Sequence, residues 1–191
     1  AAANWSARQT PPSSPGTALH FFTGISLGGA VTSHNDLAQG FALNSLTLSG
    51  TAASSASVTL TGGALTLSAN ALTRPSITLD ATAGAGLAYD VATPLTLADA
   101  TTIGGAGTAS LRLSGAISGP GTLIKEGNRT LTLAGDSTYA GETIIRAGTL
   151  QIGADGPAGS LGAGSIAKRD GFDTLARRGR VERPGSVIMF G

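Results

Sequence analysis

The sequence predicts an all-β fold, a right-handed parallel β-helix (β-solenoid) of short strands punctuated by glycine. Three observations predict it. A Leu-Thr-Leu phrase recurs along the chain, and such alternation of apolar and polar residues has the period of a half-buried strand. Its later occurrences fall at near-regular steps close to the length of one solenoid coil. The composition supplies 29 Gly for tight corners, where positive φ is needed. It is poor in the Glu, Lys, Gln and Met that clothe the solvent faces of long helices.

Composition also excludes several classes of function. The 191 residues are 41% hydrophobic, 12% charged and 4% aromatic, with 12 Lys+Arg against 11 Asp+Glu. A net charge of +1 gives no support to a nucleic-acid partner or to an anionic membrane surface. Cys is absent, so disulfide scaffolds, thiolate metal sites and thiol chemistry are excluded. No stretch approaches the ~18 consecutive apolar residues of a spanning helix, so direct membrane insertion by this segment is not expected. The opening AAANWSARQT lacks the apolar run of a signal peptide, so an export signal is expected to be removed or to lie outside this sequence.

Residues 1–19 read as an N-terminal cap or lead-in. They hold Trp5 and the cluster PPSSPG at 11–16, followed by His20-Phe21-Phe22, aromatic bulk suited to covering an open solenoid end. Residues 20–167 read as the solenoid. The phrase appears as LTLSG at 46–50, VTLTGG at 58–63, LTLSAN at 65–70 and ITLD at 77–80. It returns as LTLAD at 95–99, LRLSG at 111–115, LTLAG at 131–135 and GTLQIG at 148–153. From Leu95 to Leu111, Leu131 and Leu150 the steps are 16, 20 and 19. From Leu46 to Val58, Leu65 and Ile77 they are 12, 7 and 12, and adjacent pairs of these again make 19. That fits two faces of one coil each carrying the phrase. About 150 residues at ~19 per coil predict about 8 coils and a rod on the order of 40 Å long. A β-sandwich competes over residues 20–100, where the spacing is uneven.

Within 115–145 the odd positions are apolar, small or turn-forming apart from Lys125 and Arg129. The phase slips by one at Gly148, Leu150 and Ile152, which requires a corner at Arg146-Ala147-Gly148. On this phase Leu133, Tyr139 and Ile145 face the core, while Ile124 and Ile144 face outward as exposed apolar residues.

Residues 168–191 read as an atypical basic tail outside the solenoid. Lys168, Arg169, Arg177, Arg178, Arg180 and Arg183 stand there against Asp170, Asp173 and Glu182, and the Leu/Thr alternation vanishes. A basic arm, a C-terminal cap and a stretch foreign to the fold all remain open. The abrupt change after Ile166 favours the last.

The segment GAISGPGTLIKEGNRTLTLAGDSTYAGETIIRAGTLQIG at 115–153 resembles the autotransporter-associated β-strand repeat, or passenger-associated transport repeat. Gly119, Gly121, Leu123, Lys125, Gly127, Leu131, Leu133, Gly135, Tyr139, Gly141, Thr143, Gly148 and Leu150 occupy the positions of that family's pattern. Ser137 stands where the family commonly has Asn, so this coil lacks any contribution from an amide ladder there. Asn4-Trp5-Ser6 is similar, more loosely, to the opening of such proteins. The resemblance implies a passenger β-helix segment of a bacterial surface or secreted autotransporter. It implies neighbouring passenger coils and a C-terminal outer-membrane barrel as companions, the barrel absent from this sequence, whose aromatic content is too low for barrel girdles.

No residues are assigned to catalysis, cofactor binding or metal binding, and no cofactor is expected. His34 and Asp36 in SHND have the makings of an acid/base pair, but a turn is the plainer reading. His20 is expected to pack in the cap. The acids Asp36, Asp80, Asp90, Asp99, Glu126, Asp136, Glu142 and Asp155 are mostly single. Pectate-lyase-like or glycosidase chemistry needs them clustered. The pairs Asp80/Asp99 and Asp136/Asp155 are each 19 apart, so stacked coils would bring them together as turn residues. GGAG at 104–107 lacks the Lys-Ser/Thr and strand–helix setting of a phosphate loop. The sequons at Asn4 and Asn128 are short enough to arise by chance. Lys125 and Glu126 are sent to opposite faces by a strand and so do not cooperate in proton transfer. Tyr139 alone has a binding reading, stacking on sugar, against burial in the core. Three functions stay open: a structural stem, an adhesive surface for glycan or protein, and a carbohydrate-active β-helix enzyme.

Overall fold

A computed structural model describes residues 10–23, 29–37, 40–50, 55–154 and 158–168, and the backbone of 174–177. The first twelve described strands follow one another in rotation around three sheets, and those after them alternate between two. The first coil comprises β1 (Ala18–Thr23), β2 (Gly29–Asn35) and β3 (Phe41–Leu43). The second comprises β4 (Ser45–Gly50), β5 (Ala56–Gly62) and β6 (Leu65–Leu67), and the third β7 (Ser76–Leu79), β8 (Leu87–Val91) and β9 (Leu95–Leu97). The fourth has β10 (Thr101–Gly105), β11 (Ser110–Leu113) and β12 (Ile117–Ser118). Two-strand coils follow: β13 (Leu123–Lys125) with β14 (Thr130–Leu133), then β15 (Thr143–Ile145) with β16 (Thr149–Ile152). The last described pair is β17 (Ile166–Lys168) and β18 (Thr174–Arg177).

Sheet A stacks β1-β4-β7-β10-β13-β15-β17, sheet B stacks β2-β5-β8-β11-β14-β16-β18, and sheet C stacks β3-β6-β9-β12. Every strand pairing is parallel, and no helix occurs among the described residues. Parallel neighbours need a long crossover, and here the crossover is the other two sides of the coil. The chain is an all-β parallel solenoid, and the antiparallel sandwich considered for residues 20–100 falls.

The side of the coil that lacks a regular strand after β12 still bonds to its predecessor. Thr138 N donates to Ile117 O at 2.7 Å, Ala140 N to Gly119 O at 2.9 Å, and Ala163 N to Tyr139 O at 2.9 Å. Inside, the residues stack in columns that are apolar apart from Lys125. Sheet A stacks Leu46, Ile77, Ile103, Lys125 and Ile145 in register. Sheet B stacks Val58, Tyr89, Leu111, Leu131 and Leu150. Three-residue strands are too short to be stable alone, and each coil gains its stability by burying this column against the coils beside it.

Coil length departs from the uniform 19 expected. Register partners are 31 residues apart from Leu46 to Ile77, 26 to Ile103, 22 to Lys125 and 20 to Ile145. The early steps of 12, 7 and 12 are therefore three sides of one long coil, belonging to β4, β5 and β6 and then to β7. Among the described residues sheets A and B hold seven strands each, so this part of the stack runs about 29 Å at the ~4.8 Å strand spacing, against the rod on the order of 40 Å expected of the chain.

A corner stands at 146–148, between β15 and β16. Gly148 has φ 74° and sits over Gly127, with φ 72°. A Cβ on Gly148 would lie 2.5 Å from Gly127 O, so only glycine fits. Ile124 departs from expectation. Its column with Thr102 and Ile144 faces out, yet Ile124 is 2% exposed and lies outside the main core cluster. Ile144 is half-buried.

At the N-terminal end, Ser14 N donates to Ala42 O at 3.0 Å and Ala42 N to Ser13 Oγ at 2.9 Å. These residues thus cover the edge of β3. Ala18 and Leu19 already belong to β1. Phe21 packs on the core, whereas Phe22 is 66% exposed. At the other end the parallel ladder crosses the boundary drawn at 167/168: Lys168 closes β17, and β18 pairs β16 through Thr149↔Thr174 to Ile152↔Arg177. Residues 1–9, with Trp5, and 178–191 lie outside the described residues.

Candidate functional site

His34 is not in a turn. It lies in β2, facing out, with Nδ1 3.3 Å from Oγ1 of its register partner Thr61. Seven residues of pairing with β5 override the turn propensity of SHND, and the turn starts at Asn35. There Oδ1 accepts from Leu37 N at 3.0 Å and Nδ2 donates to Gly63 O at 2.8 Å.

The acids separate. Asp80 follows β7 on sheet A and accepts from Thr82 N at 2.9 Å and Thr82 Oγ1 at 2.7 Å. Those bonds, the backbone one first, hold its carboxyl below the usual range. Asp99 follows β9 on sheet C and accepts from Ala69 N at 2.8 Å. The 19-residue offset does not stack these two because the coils there are longer than 19. Asp136 accepts from Gly159 N at 3.0 Å, and Asp155 lies outside the described residues. Asp90 meets Arg112 at 3.6 Å and Ser114 Oγ at 2.6 Å, Glu126 meets Arg146 at 2.6 Å, and Glu142 meets Ser165 Oγ at 3.3 Å. Among the described residues no three metal-capable side chains gather.

One constellation was missed from the sequence. Nε2 of His20 lies 2.5 Å from Ser49 Oγ on the outer side of sheet A, and the His20 charge also acts on Asp80. A serine bonded to a histidine is the beginning of a nucleophile–base pair. Two facts count against that chemistry. Ser49 is 2% exposed, so no substrate reaches its hydroxyl, and the Asp80 carboxylate is taken up by Thr82. The pair is a tie between the first two coils. No periodic signal pointed to it, because the two residues are 29 apart and the first coil was expected to be 19 long.

The densest set of unusual side chains lies on the last coils. Tyr139 is fully buried, with its hydroxyl 2.6 Å from Thr143 Oγ1, and burial raises its pKa. Burial closes the sugar-stacking reading. Lys125 is 2% exposed and stands in the inward column of sheet A between Ile103 and Ile145. Its Nζ donates to Glu126 O at 2.7 Å, Gly127 O at 2.6 Å and Ala147 O at 3.0 Å. Glu126 points the other way, to Arg146, as alternation required. Ser137 is buried, and its Oγ has no hydrogen-bond partner.

Residues 123–152, which carry this set, match the family model described as Passenger-associated-transport-repeat. The chain carries a passenger-associated transport repeat. The repeat runs from β13 to the end of β16, so it covers one coil and part of the next. Lys125, Tyr139 and Thr143 are its buried side chains with polar atoms, along with Ser137. Over an alignment 71 residues long that covers 34% of this chain, the sequence is 42% identical to the Adhesin BmaC autotransporter of Brucella suis biovar 1 (strain 1330). The chain spans about 2% of that relative's length. No solved structure matches the chain.

Proposed function

We propose that this chain is a rigid, non-catalytic length of an exported bacterial passenger, held at the cell surface or released from it. The observation that carries this reading is the seating of the passenger repeat. Its inward residues Leu131, Leu133 and Ile145 continue the columns of the preceding coils without a break, so the repeat and the 100 or so residues before it form one stack. Among the described residues the polar groups of the stack bond within and between coils, as His20–Ser49 and Lys125–Ala147 do, and no three metal-capable side chains gather. In this reading the segment holds other parts of a longer protein away from the membrane. A barrel anchor belongs to that longer protein.

An adhesive role is the second reading, favoured by the word adhesin in the relative's name and by one outward row of sheet B. That row runs Thr32, Thr59, Asp90, Arg112, Thr132 and Gln151 in register, a flat polar strip of the kind a glycan or protein surface engages. The test places the chain between a signal peptide and an outer-membrane barrel in a bacterial host. The spacer reading expects intact cells to present the chain to external protease and to gain no binding to immobilised glycans or matrix proteins. Cells that gain binding, lost again in Arg112→Ala, move the assignment to adhesion. Release of reducing ends from polysaccharides by the purified chain overturns both.

A further inference from the structure

The geometry points to an internal cation site at the corner of the repeat, filled by the Lys125 ammonium, which sets the register of successive coils. This goes beyond the role in the longer protein, because it concerns how the chain selects its own fold. Among the described residues Lys125 is the only buried side chain that carries a charge. An ammonium withdrawn from water persists only where acceptors replace its hydration. It offers three N–H donors, and three carbonyls stand at 2.6–3.0 Å. Two of them, Glu126 O and Gly127 O, belong to its own corner. The third, Ala147 O, belongs to the corner of the next coil. The left-handed glycines at 127 and 148 shape both corners.

Such a device answers a weakness of the sequence. The repeated Leu-Thr-Leu phrase is degenerate, because a slip of two residues again lays leucine on leucine and leaves every face correct. Apolar columns therefore resist one-residue slips and tolerate two-residue ones. A point charge does not. Sliding β15 by two residues moves its corner by about 6–7 Å along the strand, which takes Ala147 O out of reach and breaks the bond from the ammonium to the next coil. Lys125 is thus a positioning residue for the 20-residue coil that joins it to Ile145.

The test uses the intact chain and the variants Lys125→Met and Lys125→Ala. Arg146 N donates to Lys125 O across the two coils, so its amide exchange reports the register there. Exchange at Arg146 should rise about tenfold or more in Lys125→Met, with protection of the early strands β4 and β7 unchanged. This is expected whether the methionine raises or lowers the overall melting point. Unchanged exchange at Arg146 overturns the register role. In Lys125→Ala, n-propylammonium chloride should slow that exchange and raise the unfolding midpoint. Tetramethylammonium chloride, which has no N–H, and n-propanol should not. Equal effects from all three overturn the cation site. If Lys125→Ala fails to fold, the wild type decides. Lys125 and Lys168 are the chain's two lysines, and Lys125 should show a slowly exchanging 15Nζ ammonium signal with through-space contacts to Ala147. The absence of that signal overturns the site.

Discussion

The hydroxyl of Tyr139 and Oγ1 of Thr143 lie 2.6 Å apart with both residues fully buried, four residues apart where one coil passes into β15 of the next. The ring fills the inside of the repeat, and the hydroxyl satisfies a buried polar neighbour. Tyr139→Ala should therefore cost about 3 kcal/mol or more, as loss of a buried aromatic does. Tyr139→Phe keeps the ring and should cost about 1 kcal/mol for the lost bond. Urea unfolding followed by circular dichroism separates the two. Equal costs would mean that the ring contributes nothing to packing.

The same burial predicts a pH dependence. Burial raises the Tyr139 pKa above the ordinary tyrosine value of 10.0, so the folded state prefers the neutral phenol. Its contribution is fully present below about pH 10 and is lost as pH rises through the folded pKa. The difference in unfolding free energy between wild type and Tyr139→Phe should be flat from neutral pH to about 9.5 and shrink above it. A difference that grows at alkaline pH would reverse the sign and contradict a buried neutral phenol.

Leu133 is 0% exposed and stacks between Leu113 and Ile152 in sheet B. Leu133→Asp places a carboxylate with no counter-charge in a dry column. A loss of about 4–5 kcal/mol is expected, enough to unfold the adjoining coils of a marginally stable stack. Unchanged melting by calorimetry would place Leu133 on the solvent side.

The sides of the coil were legible in the sequence because each carries its own alternation, and Leu46, Val58, Leu65 and Ile77 each mark one side. The coil itself was not. Loops such as 68–75, held by Asn44 through Nδ2 to Ser68 O and Thr73 O, add residues without adding apolar periodicity, so the spacing of the phrase points to two faces per coil where the structure has three. The error carried into chemistry: a 19-residue offset failed to bring Asp80 to Asp99, and the His20–Ser49 tie went unseen. Within the repeat, where coils are 19–20 long, the reading of Leu133, Tyr139 and Ile145 as buried and of Glu126 as outward matches the structure. Lys125 was legible only as an exception to an apolar face, since nothing in a sequence shows where the carbonyls of two corners will meet.

The corner glycines supply the last prediction. Gly148 combines φ 74° with a Cβ position 2.5 Å from Gly127 O. An alanine there meets both the left-handed penalty, about 1 kcal/mol or more, and a backbone clash that no side-chain rotation relieves. Gly84, in the loop before β8, has no left-handed φ, and its nearest atom to a new Cβ is Thr82 O at 4.0 Å. Gly84→Ala should therefore be neutral or stabilise by up to about 1 kcal/mol, through the lost freedom of the unfolded chain. Gly148→Ala should destabilise by about 2 kcal/mol or more. Measured side by side in urea, the two alanines should move the midpoint in different directions or by clearly different amounts. Matching shifts would show that stacking of the corners at 127 and 148 places no steric demand on the repeat.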